Sequence, residues 1–255
     1  MQGRLKGKVI LVAGAGGIGN ELARRYASEG ASVLLGDIDG TTAKAVAQEI
    51  VEAGGSAVGI ELNGADNDSV KSAIDIAVSS LGGLDGFHAN FASFRDGTGG
   101  QDVLGLPLDV YDEVMHVNAR GFLLCTQHAV PAMVARGGGS MVYTGSGAAY
   151  IGEEVRVAYA MSKAAVHALM RHVARRFGPN GIRANVIAPG VISHPRFKAA
   201  ITPEIANAFM QATAIKTRLG SPTDIAAMAA LLMSDEGSYI TGQIISVDGG
   251  NSMRP

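Results

Sequence analysis

The sequence predicts an α/β protein, a single domain over residues 1–255 built on a doubly wound parallel sheet of about seven strands with helices on both faces. Three observations predict it. Short apolar, β-branched runs alternate with longer helical stretches along the whole chain. Those runs are apolar throughout instead of alternating, as strands buried on both faces are. No Pro/Ser-rich linker, charge run or change of composition divides the 255 residues.

The first strand is expected near 8–13, from Val9-Ile10-Leu11-Val12-Ala13. Gly14-Ala15-Gly16-Gly17-Ile18-Gly19 follows at once and opens a helix near 18–30. This is G-x-G-x-x-G in the strand–turn–helix setting the motif requires. Glycines let the backbone turn tightly and approach a pyrophosphate, and the helix N-terminus offers free N–H groups to the phosphates. A second strand near 32–37 ends on Asp37, 18 residues after Gly19, near the spacing of an acid that accepts from the adenosine ribose hydroxyls. A carboxylate there repels a 2′-phosphate, and no Lys or Arg lies in Ala15–Ile18 or at Ile38 to welcome one. NAD is therefore expected over NADP. Asp39 is the alternative acid, and an ordinary solvated strand-end carboxylate is the plainer reading of either.

Further strands are expected near 57–62, 84–90, 139–145, 183–188 and 243–248. Further helices are expected near 41–53, 67–81, 109–136, 158–178, 203–212 and 222–234. Such alternation implies right-handed crossovers, with ligands bound beyond the C-terminal strand ends. Gly14, Asp37, Asn90, Ser146 and Pro189 all fall at such ends.

Tyr159 and Lys163 stand four apart in a helical run with no Gly or Pro before Gly178-Pro179, so both project from one face. A cation beside a phenol favours phenolate and lowers its pKa, giving a proton donor and acceptor usable near neutral pH. Ser146 lies thirteen residues upstream. Tyr-x-x-x-Lys occurs by chance in many helices. With the glycine turn and Asp37 it points to proton transfer with an alcohol or ketone.

These landmarks occur together with Leu84-Asp85 before Asn90, with Asn118, with Pro189-Gly190, and with Arg218-Leu219-Gly220 and Asp224. Tyr239-Ile240-Thr241-Gly242 and Val247-Asp248-Gly249-Gly250 complete them. From about Leu5 to about Met253 the chain resembles the short-chain dehydrogenase/reductase family, in its short, non-extended branch. The resemblance implies a Rossmann fold and an NAD-dependent oxidoreductase of secondary alcohols and ketones, acting on the CH–OH group. It implies Asn118, Ser146, Tyr159 and Lys163 as the catalytic set: Tyr159 transfers the proton, Lys163 tunes it and meets the nicotinamide ribose, Ser146 bonds the substrate oxygen, and Asn118 anchors a water behind Lys163. Cofactor contacts are implied for the turn residues Gly14, Gly16, Gly17, Ile18 and Gly19, and for Asp37 and Ile38. Asn63, Gly64, Asn90, Tyr159, Lys163, Pro189 and Ile192 are implied to complete the cleft.

The chain departs from the family pattern at four places. The glycine turn is one residue short and has Ala13 for the usual Thr. Phe91 and Ala92 follow Asn90 where the family has Ala-Gly, and are expected to crowd the ribose. Asn63-Gly64 stands for Asp-Val, so Asn63 would meet the adenine amino group without charge. His194 stands for the Thr that orients the carboxamide.

Residues 193–216 occupy the place of the family's substrate lid. Their apolar side, with Phe197, Phe91, Phe94, Ala148 and Ile151, suggests a hydrophobic pocket in which Ser146, Ala148, Tyr159 and Phe197 meet the substrate. Arg196 and Lys198 read as solvated lid charges, with attraction of an anionic substrate group as the alternative. A ketone reductase acting on acyl-carrier-protein substrates is conceivable, but Asp37 counts against its usual NADPH.

The formal net charge of −2 argues against nucleic acid or an anionic membrane as partner. Cys125 is the only cysteine, which leaves no intrachain disulfide and no thiolate cluster for a metal. No metal is expected. The N-terminal residues lack a signal peptide's apolar core and no 18-residue apolar run exists, so a cytoplasmic enzyme is expected. A stripe of Ala160, Ala164 and Ala168 and the apolar 109–136 helix suggest a homo-oligomer, a dimer or tetramer by resemblance; the alternative is that both helices only pack on their own sheet. The other functional reading is a catalytically slow NAD-binding sensor or subunit.

Overall fold

Seven parallel strands form one sheet in the order β3-β2-β1-β4-β5-β6-β7 in a computed structural model that describes residues 3–97 and 102–253. The side chain of Arg196 also lies outside the described residues. The strands are β1 Val9–Ala13, β2 Ser32–Asp37, β3 Ser56–Glu61, β4 Gly86–Ala89, β5 Gly139–Thr144, β6 Ile182–Pro189 and β7 Ile244–Val247. All seven coincide with the expected runs to within a few residues. The largest trimming is at β4: Leu84 and Asp85 precede the strand, and the Asp85 carboxylate accepts from Val9 N at 2.8 Å.

The longer helices are α1 Gly17–Ser28, α2 Gly40–Glu52, α3 Asn67–Leu81, α4 Leu108–Val114, α5 Gly121–Arg136, α6 Val157–Phe177, α7 Pro195–Ala200, α8 Pro203–Gln211 and α9 Pro222–Met233. They bury two separate cores, one on each face of the sheet. Val9, Leu11 and Ala13 of β1 face α3, α5 and α6 through Ile74, Phe122, Met133 and Met170. Ile10 and Val12 face α1, α2 and α9 through Leu22, Tyr26, Ile50 and Leu232. Alternate residues of one strand thus feed opposite cores, which is why the strand reads as continuously apolar.

Two elements differ from expectation. The expected 109–136 helix is interrupted by a π-helical segment, Met115–Arg120, between α4 and α5. Gly121 opens α5 because Phe91 lies against it: a Cβ there would meet the Phe91 ring at 2.8 Å. The interruption turns Asn118 fully inward, and such π turns favour functional sites. The short helix α7 was not expected.

Leu123, Val134, Ala164 and Ala168 on α5 and α6 are exposed. Leu123, Val130, Val134, Leu169, Val173 and Phe177 line an open apolar groove between them. Among the described residues no helix is long and apolar enough to cross a membrane.

Candidate active site

The glycine turn is built around two residues with positive φ, Gly14 at 101° and Gly16 at 106°, a region open to glycine and costly to other residues. A Cβ at Gly14 would meet Phe91 N at 2.6 Å, and one at Gly19 would overlap the Gly14 carbonyl oxygen. A Cβ at Gly16 would meet no protein atom within 4 Å. The turn is therefore closed toward the sheet and open outward, at the start of α1. This is the cradle a pyrophosphate requires.

Asp37 ends β2 beside this turn. Its Oδ2 accepts from Ala15 N at 2.7 Å and its Oδ1 from Asp39 N at 2.9 Å. Asp39 is spent capping α2, accepting from Thr41 N, Thr42 N and the Thr42 hydroxyl. Of the two acids, Asp37 is the one bound to the turn. Ile38 is exposed next to it, and Ile18 packs on the second core.

Asn90 lies at the end of β4 and donates from Nδ2 to the Gly14 carbonyl at 3.0 Å. The expected crowding by Phe91 is not found. The Phe91 ring turns away from the turn, fills the space left by Gly64 and Gly121, and packs edge-on against Phe122 at 4.9 Å. The ring packs against the first core from its rim. Its direction follows from two distant glycines that leave room on that side.

Tyr159, Lys163, Ser146 and Asn118 lie close together at the C-terminal end of the sheet. Tyr159 is 6% exposed, Lys163 1% and Asn118 0%. Ser146, in extended backbone after β5, accepts from Ala148 N at 3.2 Å and stands beside the Tyr159 phenol. Lys163 Nζ donates to the Thr144 carbonyl at 2.9 Å and lies 4.8 Å from the Phe122 ring centre and 5.6 Å from that of Tyr159. Asn118 Nδ2 reaches Ser162 Oγ at 3.2 Å, and Ser162 in turn donates to the Tyr159 carbonyl at 2.7 Å.

Electrostatics correct the expectation about tuning. Burial raises the Tyr159 phenol above its ordinary value, opposed by the Ser146 hydroxyl and then by the Arg156 guanidinium, which lies 5.6 Å from the ring centre. Lys163 is not what offsets the rise: burial lowers its own pKa to about 7. Phenol and amine are thus both pushed toward their neutral forms by one dry environment.

The sequence reading missed Asp96. It is 2% exposed, its Oδ2 accepts from Tyr159 N at 2.7 Å, and its Oδ1 is buried with no hydrogen-bond partner among the described residues. It serves as the cap that α6 lacks, because Arg156 at the helix start has φ 62° and no capping side chain. That uncapped start was the available signal. Phe94, from the same loop, stacks on Tyr159 at 5.0 Å.

The remaining expected residues are more dispersed. Ala148 is buried with Val114, Ala158 and Tyr159, leaving little of it for a substrate. Asn63 Oδ1 accepts from Ala65 N, so its carboxamide oxygen is engaged in a local turn. Gly64 is covered by Phe91. Pro189 pairs with Val247 at the end of β6, and Ile192 is buried beside Gly220. His194 lies on Gly17, whose Cβ, if present, would meet the ring at 2.5 Å. Phe197 lies 6.3 Å from both His194 and Phe209.

Comparison with known proteins decides the family. A family model described as Enoyl-(Acyl carrier protein) reductase matches residues 12–252. A probable short-chain type dehydrogenase/reductase of Bradyrhizobium diazoefficiens is 37% identical over 249 residues, covering 97% of this chain and 88% of the relative. The chain belongs to the short-chain dehydrogenase/reductase family. The 7alpha-hydroxysteroid dehydrogenase of Escherichia coli K12 is also 37% identical, covering 97% of this chain and 95% of the relative. A solved structure of a 7 alpha-hydroxysteroid dehydrogenase, complexed with NADH and 7-oxo glycochenodeoxycholic acid, superposes with a TM-score of 0.90 at 35% identity, covering 99% and 98% of the two chains. Family membership makes the chain an oxidoreductase of a class that uses nicotinamide cofactors.

Proposed function

We propose that this protein is an NAD-dependent oxidoreductase that interconverts a secondary alcohol and a ketone. The observation that carries the reading is the Ser146 hydroxyl placed against the Tyr159 phenol at the C-terminal edge of the sheet, with Lys163 and Asn118 behind it. The outward-open turn at Gly16 and the Asp37 carboxylate beside it fit a dinucleotide with free ribose hydroxyls. The nicotinamide, when bound, supplies the hydride acceptor or donor.

The protein's part is proton transfer and orientation. With its pKa raised by burial, Tyr159 stays protonated at neutral pH and gives its proton to a ketone oxygen in the reducing direction. Ser146 donates to the same oxygen as charge grows on it. In the oxidising direction Tyr159 must first give its own proton to solvent, which becomes easier as pH rises toward its raised pKa, and the phenolate then receives the alcohol proton. Lys163, poised near pH 7, supplies positive charge behind the phenol when protonated. Phe94 over Tyr159, and Phe197 with Phe209 in the 193–216 segment, suit an apolar substrate covered by that segment as a lid. The likeness to 7alpha-hydroxysteroid dehydrogenases makes hydroxysteroids the first compounds to try. The open apolar groove between α5 and α6 supports a homo-oligomer.

A screen of secondary alcohols, hydroxysteroids first, with NAD and NADP read at 340 nm tests this. Turnover with NAD is the expected result. One observation favours a second reading, a slow NAD-binding sensor or subunit: the His194 ring rests on Gly17 at the opening of α1. Saturable NAD binding without turnover on any of a broad panel selects that reading.

A further inference from the structure

Beneath the glycine turn runs a buried polar chain on the α1 side of the sheet. Tyr26 Oη lies 2.8 Å from His88 Nδ1, His88 Nε2 lies 3.0 Å from Thr144 Oγ1, Thr144 Oγ1 donates to Asn90 Oδ1 at 2.9 Å, and Asn90 Nδ2 donates to the Gly14 carbonyl at 3.0 Å. Tyr26 and His88 are fully buried and Thr144 is 7% exposed. Only one pattern of protons satisfies every member. The Gly14 carbonyl can only accept, so the Asn90 amide nitrogen faces it and the amide oxygen faces Thr144. That oxygen needs a donor, so the Thr144 hydroxyl points to Asn90 and accepts from His88 Nε2–H. His88 Nδ1 is then bare and accepts from Tyr26 O–H.

We infer that His88 is a positioning residue for the cofactor: through Thr144 and Asn90 it holds the Gly14 carbonyl, and hence the glycine turn, in the shape that receives the dinucleotide. The role rests on the dinucleotide-binding reading above. Gly14 has φ 101°, and its N–H is held by the Gly36 carbonyl at 2.7 Å. Asn90 pins the other end of the same residue. In a dry interior a chain with one member removed leaves two groups unpaired, which costs more than never having had the chain. Thr144 also accepts from Lys163 through its carbonyl, so one residue ties the turn to the candidate proton-transfer set. Burial lowers the His88 pKa to about 3, which keeps the ring neutral and the single proton pattern intact across the working pH range.

The test is NADH and NADPH titration by fluorescence on the full chain, using whichever dinucleotide the wild type binds more tightly. Thr144→Val keeps the shape and the carbonyl but removes the hydroxyl. Its Kd is expected to rise about tenfold, equivalent to about 1.4 kcal/mol, and the KM for the dinucleotide to rise more than kcat falls. Thr144→Ser restores the hydroxyl and should stay within about twofold of wild type. His88→Leu should match Thr144→Val, and the double variant should bind no worse than the weaker single, because both break one chain. Tyr26→Phe, which removes a single distant hydroxyl, should raise Kd about threefold and serves if the Val variant does not fold. Variants with a lowered thermal midpoint but wild-type Kd would overturn the inference and make the chain core packing only. A wild type that binds neither dinucleotide overturns the cofactor reading and this inference with it.

Discussion

Lys163→Met separates the cost of burying the amine from its use. In the fold the side chain is 1% exposed and its pKa falls from 10.5 to about 7 through burial. Between those values the unfolded chain binds more protons than the folded one, so the group's contribution to stability rises with pH across that window and is constant below it. At about 1.4 kcal/mol per pH unit between the two values, burial costs on the order of 4 kcal/mol at pH 7 and less than about 1 kcal/mol at pH 10. Methionine keeps most of the methylene packing but leaves the Thr144 carbonyl without its donor at 2.9 Å, a loss of about 1–3 kcal/mol. The variant should therefore be more stable at pH 7 by about 1–3 kcal/mol, a rise of roughly 2–10 °C for a chain of this size. At pH 10 the gain should vanish or reverse. Scanning fluorimetry of both proteins at the two pH values, read as a difference, cancels the other titrating groups. Turnover should be lost in the stabilised variant, as expected when a group is kept for function against stability. A Met variant less stable at pH 7 by the same amount as at pH 10 would refute the reasoning.

Tyr159→Phe should lower turnover by about 10²–10⁴-fold with NADH affinity near wild type; a loss under about tenfold removes Tyr159 from the proton step. Asp37→Ala with Ile38→Arg should swing the NAD/NADP ratio of kcat/KM toward NADP by about 10–100-fold, by removing one charged acceptor and adding a phosphate partner; an unchanged ratio would detach Asp37 from the ribose. Asp224 has its carboxyl held down to about 2, chiefly by the hydrogen bond from Arg218. Its contribution is present above its ordinary value of 3.8 and lost as pH falls through 2. Asp224→Asn should thus cost about 1 kcal/mol at pH 7, allowing for solvent screening, and a small fraction of that at pH 2 by thermal unfolding.

The sheet, and the gathering of Tyr159 and Lys163 at one place, were legible because they depend on local signals. Strands buried on both faces must be apolar throughout, and Tyr159 and Lys163 share a helix face by spacing alone. What depends on distant chain was not legible. The π turn at Met115–Arg120 sits where Phe91, from a separate loop, packs against Gly121, a contact that no local pattern reports. Phe91 looked like an intruder because its direction is set by Gly64 and Gly121, 27 and 30 residues away in the sequence. In the sequence His88 sits inside an apolar strand, where packing is the ordinary role. A histidine inside the run Gly86-Phe87-His88-Ala89 nonetheless has two ring nitrogens to satisfy once buried, and that need pointed to a polar chain. The tuning of Tyr159 was misjudged because the helix argument supplied a neighbouring cation but not the cost of burying it.

How Tyr159 is held follows from a weakness at the start of its own helix. Arg156 enters α6 in the left-handed region, so no side chain at that position can cap the first turn. The open Tyr159 N–H is met instead by Asp96, from the loop after β4. That loop is fixed by Asn118, which accepts from Ser93 N at 2.7 Å and donates to the Ser93 carbonyl at 3.0 Å. Asn118 also reaches Ser162, which binds the Tyr159 carbonyl. Both backbone groups of Tyr159 are therefore clamped by side chains that trace back to Asn118, and the phenol meets Ser146. A donor fixed before the substrate arrives needs no reorganisation as charge develops, the condition under which such groups act most strongly. Moving the cap from the helix itself to a separate loop couples the position of Tyr159 to the loop that carries Phe94. In the proposed reaction, a substrate pressing on Phe94 presses on the proposed proton donor, on which Phe94 stacks.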